Sequence, residues 1–229
     1  MNFEDYYKKN KTYITFTDVR LGKIIDLVGK RKPDNILDLG CGSGYLLEKI
    51  SEKLNSAELW GVDVYANKKN KKWNYKKADV NKLLPFKEET FSCVILGELI
   101  EHVPDPDFLL RECYRVLKKR GILIVSTPNL VSWANRILVL LGIQPLFTET
   151  SIEVNLGRYF KILGQNDKTQ GHLKIFTHKS LAEILEREKF TIEEKYGVPF
   201  FFPFPISLID RMFTKIVSMS SELLYVCKK

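Results

Sequence analysis

The chain has 229 residues, of which 45% are hydrophobic and 28% are charged; this balance favours a folded protein with a large core and excludes a disordered chain. The 36 basic and 28 acidic side chains give a formal net charge of +8, which suits an anionic partner but is equally consistent with a lysine-rich solvated surface. No apolar run reaches the length of about 18 residues that a helix needs to cross a bilayer.

The first half of the chain alternates short apolar segments with helix-like ones, which is typical of a parallel α/β sheet. We predict, in chain order, a strand at Asn35–Leu39, a glycine turn at Gly40–Gly44, a helix at Tyr45–Lys53, and strands at Leu59–Asp63, Asn74–Ala78 and Phe91–Leu96. The last strand is almost wholly apolar, as expected when helices cover both faces of a sheet.

The next predicted helix has readable ends. Asp105 fits an N-cap, and Pro106 fits the first turn, where its missing amide hydrogen costs nothing. The apolar face continues to Leu117, the basic residues Lys118–Arg120 suit the negative end of the helix dipole, and Gly121 suits the stop. A fifth strand is predicted at Ile122–Ser126.

From Thr127 this alternation stops for about fifty residues, far more than an ordinary α/β connection takes. We therefore predict one domain, residues 1–229, with a substrate-side insertion at about residues 130–176. The insertion contains an apolar helix, Leu130–Leu141, with a polar stripe at Ser132, Asn135 and Arg136. The pattern then predicts, in chain order, the helix Lys179–Glu188, the strand Thr191–Val198, the helix Ile206–Val217, with Asp210 on its polar side, and the strand Glu222–Cys227.

The glycine turn carries the most informative local pattern. Glycines between a strand and a helix let the backbone approach a ligand closely, and the helix N-terminus offers free amide groups. A dinucleotide site would have the spacing GxGxxG, whereas this turn has GxGxG and is preceded by the carboxylate of Asp38. A carboxylate is a poor neighbour for a pyrophosphate but suits a ligand that carries a positive amino group.

Two more carboxylates follow strands in the same half of the chain. Asp63 ends the second predicted strand, where a carboxylate can accept two hydrogen bonds from ribose hydroxyls. Asp79 follows the third, where it can accept a bond from an adenine amino group between Val64 and Val80; its alternative role is to cap the turn at Asn81. Together with Asp38, these residues predict a site for a nucleoside with an amino-acid tail.

The cysteines and the N-terminus indicate a reducing compartment. The start of the chain, Met1–Asp5, lacks the basic and then apolar pattern of a signal peptide. The cysteines form no CxxC pair, so we expect neither disulfides nor a zinc cluster and predict a cytoplasmic protein, with peripheral membrane contact as a further option. They are Cys41, Cys93, Cys113 and Cys227.

In order and spacing, LDLGCGSG, GVD, AD, LGELIEHVPDP and RVLKKRGILIVSTPN resemble the class I S-adenosylmethionine-dependent methyltransferases. The resemblance is closest to the broad small-molecule group that contains the quinone-biosynthesis O-methyltransferases. It covers Asp34–Asn129 strongly and His172–Lys229 more loosely. It implies a Rossmann-like three-layer fold whose seven-stranded sheet is mostly parallel with an antiparallel last strand, and S-adenosylmethionine as cofactor, with S-adenosylhomocysteine as product.

The resemblance also implies roles for individual residues. The methionine portion of the cofactor falls to the first loop, the ribose to Asp63, and the adenine to Asp79 and Val80. The end of the fourth strand, Leu96-Gly97-Glu98, lines the cofactor beside the acceptor. The loop residues concerned are Asp38, Gly40, Cys41, Gly42 and Gly44.

Three polar side chains are candidates for contact with the acceptor. Glu101 and His102 follow the fourth strand at the edge of the sheet where ligands bind, and His172 follows the insertion. Each can orient the acceptor or take its proton, and for the two histidines a structural hydrogen bond is the alternative. No metal is required by the sequence. In relatives the N-terminal segment folds over the cofactor, so one of Tyr6, Tyr7 and Tyr13 is a further candidate contact.

The acceptor class remains open at this point. The apolar insertion helix and the aromatic stretch Phe200–Pro205 favour a small, apolar or lipid-linked acceptor, although they also suit plain core or a membrane surface. The lysine-rich run, with Trp73 and Tyr75 interleaved, leaves an RNA-modifying or RNA-binding protein as an alternative. A non-catalytic S-adenosylmethionine-binding protein is the other. The lysines are Lys68, Lys69, Lys71, Lys72, Lys76 and Lys77.

Overall fold

A computed structural model describes residues 19–65, 72–157 and 169–229. The predictions on Tyr6, Tyr7, Tyr13, Lys68, Lys69 and Lys71 fall outside these residues. The described chain forms a seven-stranded sheet. Its strands are β1 Asn35–Leu39, β2 Glu58–Asp63, β3 Asn74–Lys77, β4 Phe91–Gly97, β5 Leu117–Pro128, β6 Thr191–Val198 and β7 Glu222–Lys228. They lie in the order β3-β2-β1-β4-β5-β7-β6. β7 runs antiparallel to both of its neighbours, and the pairs among β1 to β5 are parallel. The predicted fold class is therefore confirmed.

The elements follow the predicted alternation. The helices are α1 Val19–Arg31, α2 Tyr45–Lys53, α3 Pro106–Val116, α4 Trp133–Leu140, α5 His178–Arg187 and α6 Ile206–Phe213. Short 3-10 turns lie at Ile100–His102 and Val217–Met219.

The sheet is covered on both faces, which explains its apolar central strands. Successive residues of a strand point to opposite faces. In β1, Leu37 and Leu39 pack into one core, which includes α3 and α5, while Ile36 packs into another, which includes α1 and α2. Because β1 and β4 are adjacent and parallel, their carboxyl ends meet at one edge of the sheet, and the predicted site residues gather there.

The end of α3 corrects one prediction. The helix stops at Val116, and Leu117 already has an extended backbone (φ −72°, ψ 136°). Lys118–Arg120 and Gly121 therefore belong to the long strand β5 and not to a helix terminus. The reason is non-local: Leu117 pairs with Phe91 of β4, and a register shift follows before Ile122 pairs with Cys93. The predicted N-cap is confirmed, because Asp105 Oδ1 accepts the amide of Phe108 at 2.8 Å.

The insertion helix is shorter than predicted. It begins at Trp133, after Ser132, whose hydroxyl accepts the amide of Asn135 at 3.3 Å. Asn135 is buried, and its side chain bonds both the amide and the carbonyl of Leu146. Part of the predicted polar stripe therefore faces inward, where it fastens the helix to the segment that follows it.

The helix α6 differs more from its prediction. It ends at Phe213, and Asp210 is its one buried residue. The Asp210 carboxylate accepts hydrogen bonds from the Trp133 indole, the Phe200 amide and the Ser221 hydroxyl. The predicted polar side is thus partly buried, while Met212 on the apolar side is 71% exposed. Among the described residues, we find no helix with the length and apolar character needed to cross a membrane.

Candidate functional site

The glycine turn leaves β1 and enters α2 with a left-handed backbone. Gly42 and Gly44 have φ values of 51° and 79°, which side-chain-bearing residues rarely adopt. A Cβ on Gly44 would lie 2.0 Å from Cζ2 of Trp73, so the indole ring packs directly on this backbone. A Cβ on Gly42 would meet no atom within 4 Å. The turn is therefore supported from one side by Trp73 and open above Gly42.

Asp38 is the carboxylate nearest the end of β1, and it is 4% exposed. No hydrogen bond to its carboxylate is present in the part of the chain that the structure describes. Burial, with the neighbouring charge of Asp63, raises the pKa of Asp38 to about 8, and the more weakly acting charge of Arg20 opposes this rise. A buried carboxyl of this kind fits a ligand that brings its own cation.

Asp63 stands at the end of β2, next to β1 in the sheet. Its Oδ2 accepts the amide of Gly42 at 2.9 Å, and its Oδ1 accepts the amide of Tyr65 at 3.0 Å. Each carboxylate oxygen has a second lone pair, so Asp63 can hold the glycine turn and still accept bonds from a ligand hydroxyl. Val64, the next residue, is half-buried.

The residues predicted to border the adenine, Asp79 and Val80, lie after β3. Asp79 Oδ1 accepts the amide of Asn81 at 3.0 Å, so the alternative role as a turn cap is present in the structure. Its carboxylate is only partly exposed, and the neighbouring Val80 packs into the core. Trp73 is buried and the hydroxyl of Tyr75 donates to backbone carbonyls of Asp63 and Tyr65. These two aromatic rings therefore contribute to packing and are not displayed for stacking on RNA.

The remaining predicted cofactor residues line the same edge. Leu96 is fully buried in β4, Gly97 ends that strand, and Glu98 follows with a φ of 54°. Gly40 packs against Leu99, since a Cβ there would lie 3.0 Å from Cδ1 of that leucine. Cys41 is buried, and a Cβ on Gly61 would lie 2.7 Å from its sulfur, so its side chain faces the core. Burial raises the pKa of the Cys41 thiol, which argues against a nucleophilic role.

Arg20 also lies at this edge of the sheet, although it was not among the residues predicted from the sequence. It is buried, its Nη1 lies 3.8 Å from Oε1 of Glu98, and its Nε lies 3.6 Å from Oε2 of Glu222. A Cβ on Gly97 would lie 3.5 Å from the same Nη1, so the guanidinium crosses the end of β4. A signal was available, because Arg20 shares a helical face with the apolar residues Ile24 and Leu27.

The three acceptor-side candidates come together although His172 lies about 70 residues after the adjacent pair Glu101 and His102. One ligand atom from each of Glu101, His102 and His172 lies within 4.8 Å of the others. The two imidazole rings are 4.8 Å apart between centroids. Nδ1 of His102 contacts the carbonyl oxygen of Gly171 at 3.1 Å, and Nδ1 of His172 contacts that of Phe147 at 2.8 Å. The structural hydrogen bonds considered for both histidines are therefore present.

Glu101 is the buried member of this group. It is 0% exposed, and its Oε2 accepts the hydroxyl of Thr127 at 3.0 Å. Its backbone carbonyl accepts the amides of Leu173 and Lys174, which ties the segment after the insertion to the end of β4. Burial, together with the charge of Glu98, raises the pKa of Glu101, and burial lowers the pKa of His102.

A comparison of the sequence with known proteins finds similarity to methyltransferases. The ubiquinone biosynthesis O-methyltransferases of Bradyrhizobium diazoefficiens and Pseudomonas putida are 32% and 29% identical over 119 and 137 residues. These matches cover 48% and 56% of this chain and 45% and 55% of those proteins. The chain thus spans about half the length of the curated relatives it matches.

Solved structures share the fold across nearly the whole chain. A 1,6-didemethyltoxoflavin-N1-methyltransferase of Burkholderia thailandensis, with bound 1,6-didemethyltoxoflavin and S-adenosylhomocysteine, aligns over 99% of this chain and 84% of its own. It is 16% identical with a TM-score of 0.60. A protein of Pyrococcus horikoshii aligns over 99% of both chains, at 19% identity and a TM-score of 0.60.

A family model described as a methyltransferase domain matches residues 13–195, which is most of the chain. This range includes the glycine turn, the carboxylates after the strands and the acceptor-side cluster. The resemblance to class I S-adenosylmethionine-dependent methyltransferases is thereby confirmed, and the chain belongs to the methyltransferase domain family.

Proposed function

We propose that the chain transfers a methyl group from S-adenosylmethionine to a small apolar or lipid-linked acceptor and releases S-adenosylhomocysteine. The observation that carries this proposal is the buried Asp38 carboxyl beside the open glycine turn, without a hydrogen-bond donor among the described residues. Burying a carboxylate is costly unless a partner compensates the charge. The amino group of a methionine tail supplies that partner.

The other cofactor contacts follow from this placement. Gly42, with open space above it, lets the backbone approach the tail, and the N-terminus of α2 lies beyond Gly44. Asp63 would accept the ribose hydroxyls while it holds the turn, and Asp79 with Val64 and Val80 would border the adenine. When bound, the sulfonium supplies an activated methyl group, so the chain has only to orient the acceptor and exclude water.

The acceptor would lie at the carboxyl end of β4. There Glu101, His102 and His172 form the polar group that orients the acceptor's reacting atom and removes its proton. His172 is held by Phe147, whose ring packs on Phe200 with centroids 5.0 Å apart. An apolar wall made by the insertion and the closing segment therefore adjoins the polar group, which supports an apolar acceptor.

The insertion helix α4 and the closing segment at residues 200–216, which contains α6, together form what we call the apolar lobe. This lobe carries the features that support membrane contact. α4 and α6 pack together through Trp133 and Phe213, whose rings stack at 5.5 Å. The outer surface of these helices and of the residues next to them exposes large apolar side chains and the basic residues Arg136, Arg211 and Lys215. An apolar surface edged with basic side chains suits an anionic lipid layer, where a lipid-linked acceptor would be found. The apolar residues are Ile137, Val139, Leu140, Leu141, Phe201, Phe204, Leu208, Ile209, Met212 and Ile216.

Sedimentation with lipid vesicles tests this contact. We expect binding to vesicles with anionic lipid, weaker binding to zwitterionic ones, and loss of binding in the double variant Phe201→Ser, Phe204→Ser. Leu83→Ser is the matched control, because Leu83 is 70% exposed but lies outside the lobe. Equal binding by the double variant and the wild type would refute the assignment of this surface.

Transfer of a labelled methyl group tests the activity. The protein is incubated with labelled S-adenosylmethionine and a cell extract separated into lipid, small-molecule, RNA and protein fractions. We expect label in the lipid or small-molecule fraction, and loss of that label in Asp38→Asn. Label confined to RNA would support the RNA-modifying alternative, and cofactor binding without label in any fraction would support the non-catalytic one.

A further inference from the structure

The cluster of Glu101, His102 and His172 at the end of β4 contains more polar groups than are needed to accept one proton. It brings two imidazoles and one carboxylate to the same place, and these three groups are a common donor set for transition metals. We propose that Glu101, His102 and His172 form a binding site for one divalent transition metal ion, with Zn²⁺ as the reference ion. The sequence by itself requires no metal, since His172 lies about 70 residues after the adjacent pair Glu101 and His102.

The hydrogen bonds of the histidines set their rings for this role. Nδ1 of His102 faces the carbonyl of Gly171, and Nδ1 of His172 faces the carbonyl of Phe147. A carbonyl oxygen only accepts, so in each neutral ring Nδ1 carries the hydrogen and Nε2 carries the lone pair. Metal-binding histidines typically donate the other ring N–H in just this way.

Glu101 supplies the second, independent observation. Its side chain is 0% exposed, and its Oε1 has no hydrogen-bond partner within residues 19–65, 72–157 and 169–229. That oxygen lies 3.9 Å from Nε2 of His102, so it is directed into the cluster. The other oxygen, Oε2, is held by Thr127 at 3.0 Å, which fixes the carboxylate plane. Buried carboxylates are normally paired or coordinate a metal.

The distances between the three donor atoms suit a bound ion after the side chains move slightly closer together. Ligand atoms that each lie about 2.1 Å from a tetrahedral ion are about 3.4 Å from one another. The three donor atoms here lie within 4.8 Å of one another, so closure requires shifts of about 1 Å, within the range of side-chain adjustment. The backbone bonds from Leu173 and Lys174 to Glu101 hold the two chain segments together during this closure.

Three protein ligands leave at least one coordination position for water or another oxygen. An acceptor hydroxyl in that position would lose its proton more readily, because a bound cation lowers the pKa of an oxygen ligand. The histidines would then act as ligands and the ion would activate the acceptor. This catalytic role rests on the proposed function, whereas metal binding itself does not.

Metal binding is measured directly on the full chain, without an affinity tag and after treatment with a chelator. Equilibrium dialysis with Zn²⁺ should give one bound ion per chain, and Co²⁺ should give visible absorption bands that Zn²⁺ abolishes. Glu101→Gln and His172→Ala should each weaken binding by more than about 100-fold, because the loss of even an outer hydrogen-bond partner costs about 10–100-fold. Thr127→Val should therefore weaken it by about 10–100-fold.

His178→Ala is the matched control, because it removes the remaining histidine of the described chain, which is outside the cluster. It should bind the ion as the wild type does. Circular dichroism and thermal unfolding of the metal-free variants separate lost ligands from lost folding, and Glu101→Gln keeps the side-chain shape. Absence of stoichiometric binding in the wild type, or undiminished binding in folded Glu101→Gln, overturns the proposal. Calorimetry with S-adenosylhomocysteine in the absence of metal tests the cofactor site separately.

Discussion

The pH dependence of cofactor binding follows from the environment of Asp38. Its pKa is raised to about 8, chiefly by burial and then by the charge of Asp63. At pH 7 about nine tenths of the ligand-free protein therefore carries a protonated Asp38. Binding a cationic amino group favours the carboxylate, so binding releases a proton and a rise in pH strengthens it.

The expected size of the effect is worked from that pKa. Well below pH 8, each pH unit changes the carboxylate fraction, and hence the association constant, by about tenfold. The rise should level off above pH 8, where Asp38 becomes mostly ionised. Affinity should therefore increase steeply from pH 6 to pH 8 and change less above it.

Calorimetry with S-adenosylhomocysteine measures this directly. Titrations at pH 6, 7 and 8 give the slope, and buffers of different ionisation enthalpy should show release of about 0.9 proton at pH 7. Asp38→Asn should bind more weakly at pH 8 and lose the slope, because its amide does not ionise. A wild-type affinity that is constant from pH 6 to 8, or an equal slope in Asp38→Asn, would refute the reasoning.

Three other substitutions test the site and its support. Asp63→Ala should weaken cofactor binding by about 1–3 kcal/mol, because its hydrogen bonds to the ribose and to the glycine turn are left unmade. The control is Asp26→Ala, which removes an exposed carboxylate. Unchanged affinity in Asp63→Ala would contradict the ribose assignment. Gly44→Ala should lower the free energy of unfolding in urea by more than about 1 kcal/mol, because the φ of Gly44 is 79° and the new Cβ would lie 2.0 Å from Trp73. Unchanged stability would show that the Trp73 indole moves aside freely. Asp210→Ala should lower the free energy of unfolding by about 3 kcal/mol or more, because three hydrogen-bond donors lose their acceptor. A loss under about 1 kcal/mol would contradict the anchoring role of Asp210.

Local patterns predicted the parts of the fold that depend on neighbouring residues. The strand β1, the glycine turn and α2 have the expected bounds, because strand apolarity, glycine spacing and helix periodicity are all visible within a few residues. The predicted N-cap Asp105 is an equally local feature. A turn between a strand and a helix is thus specified by its own sequence.

Non-local pairing explains the errors. Gly121 suits a helix stop when read alone, but Leu117 is drawn into β5 by its pairing with Phe91. Asp210 suits a solvated helix face, but Trp133, from a distant part of the chain, and Ser221, beyond the end of the helix, supply donors to it. No spacing rule in the sequence connects these residues, so burial of the carboxylate could not be read from the helix alone.

The candidate site also has one part that neighbouring residues specify and another that depends on contacts between distant segments. Asp38 and the glycine turn were identifiable because they form one continuous motif. The cluster of Glu101, His102 and His172 depends on the return of the chain after the insertion, where Leu173 bonds the carbonyl of Glu101. Its members were candidates individually, but their shared geometry arises only in the folded chain.

A crystal structure of the complex with S-adenosylhomocysteine tests the central claim most directly, namely that Asp38 receives the cofactor's amino group. We expect an amino nitrogen within about 3.2 Å of the Asp38 carboxylate, and ribose hydroxyls at Asp63. A ligand bound at another edge of the sheet, or one in this cleft with its amino group facing solvent, would show that Asp38 does not have this role.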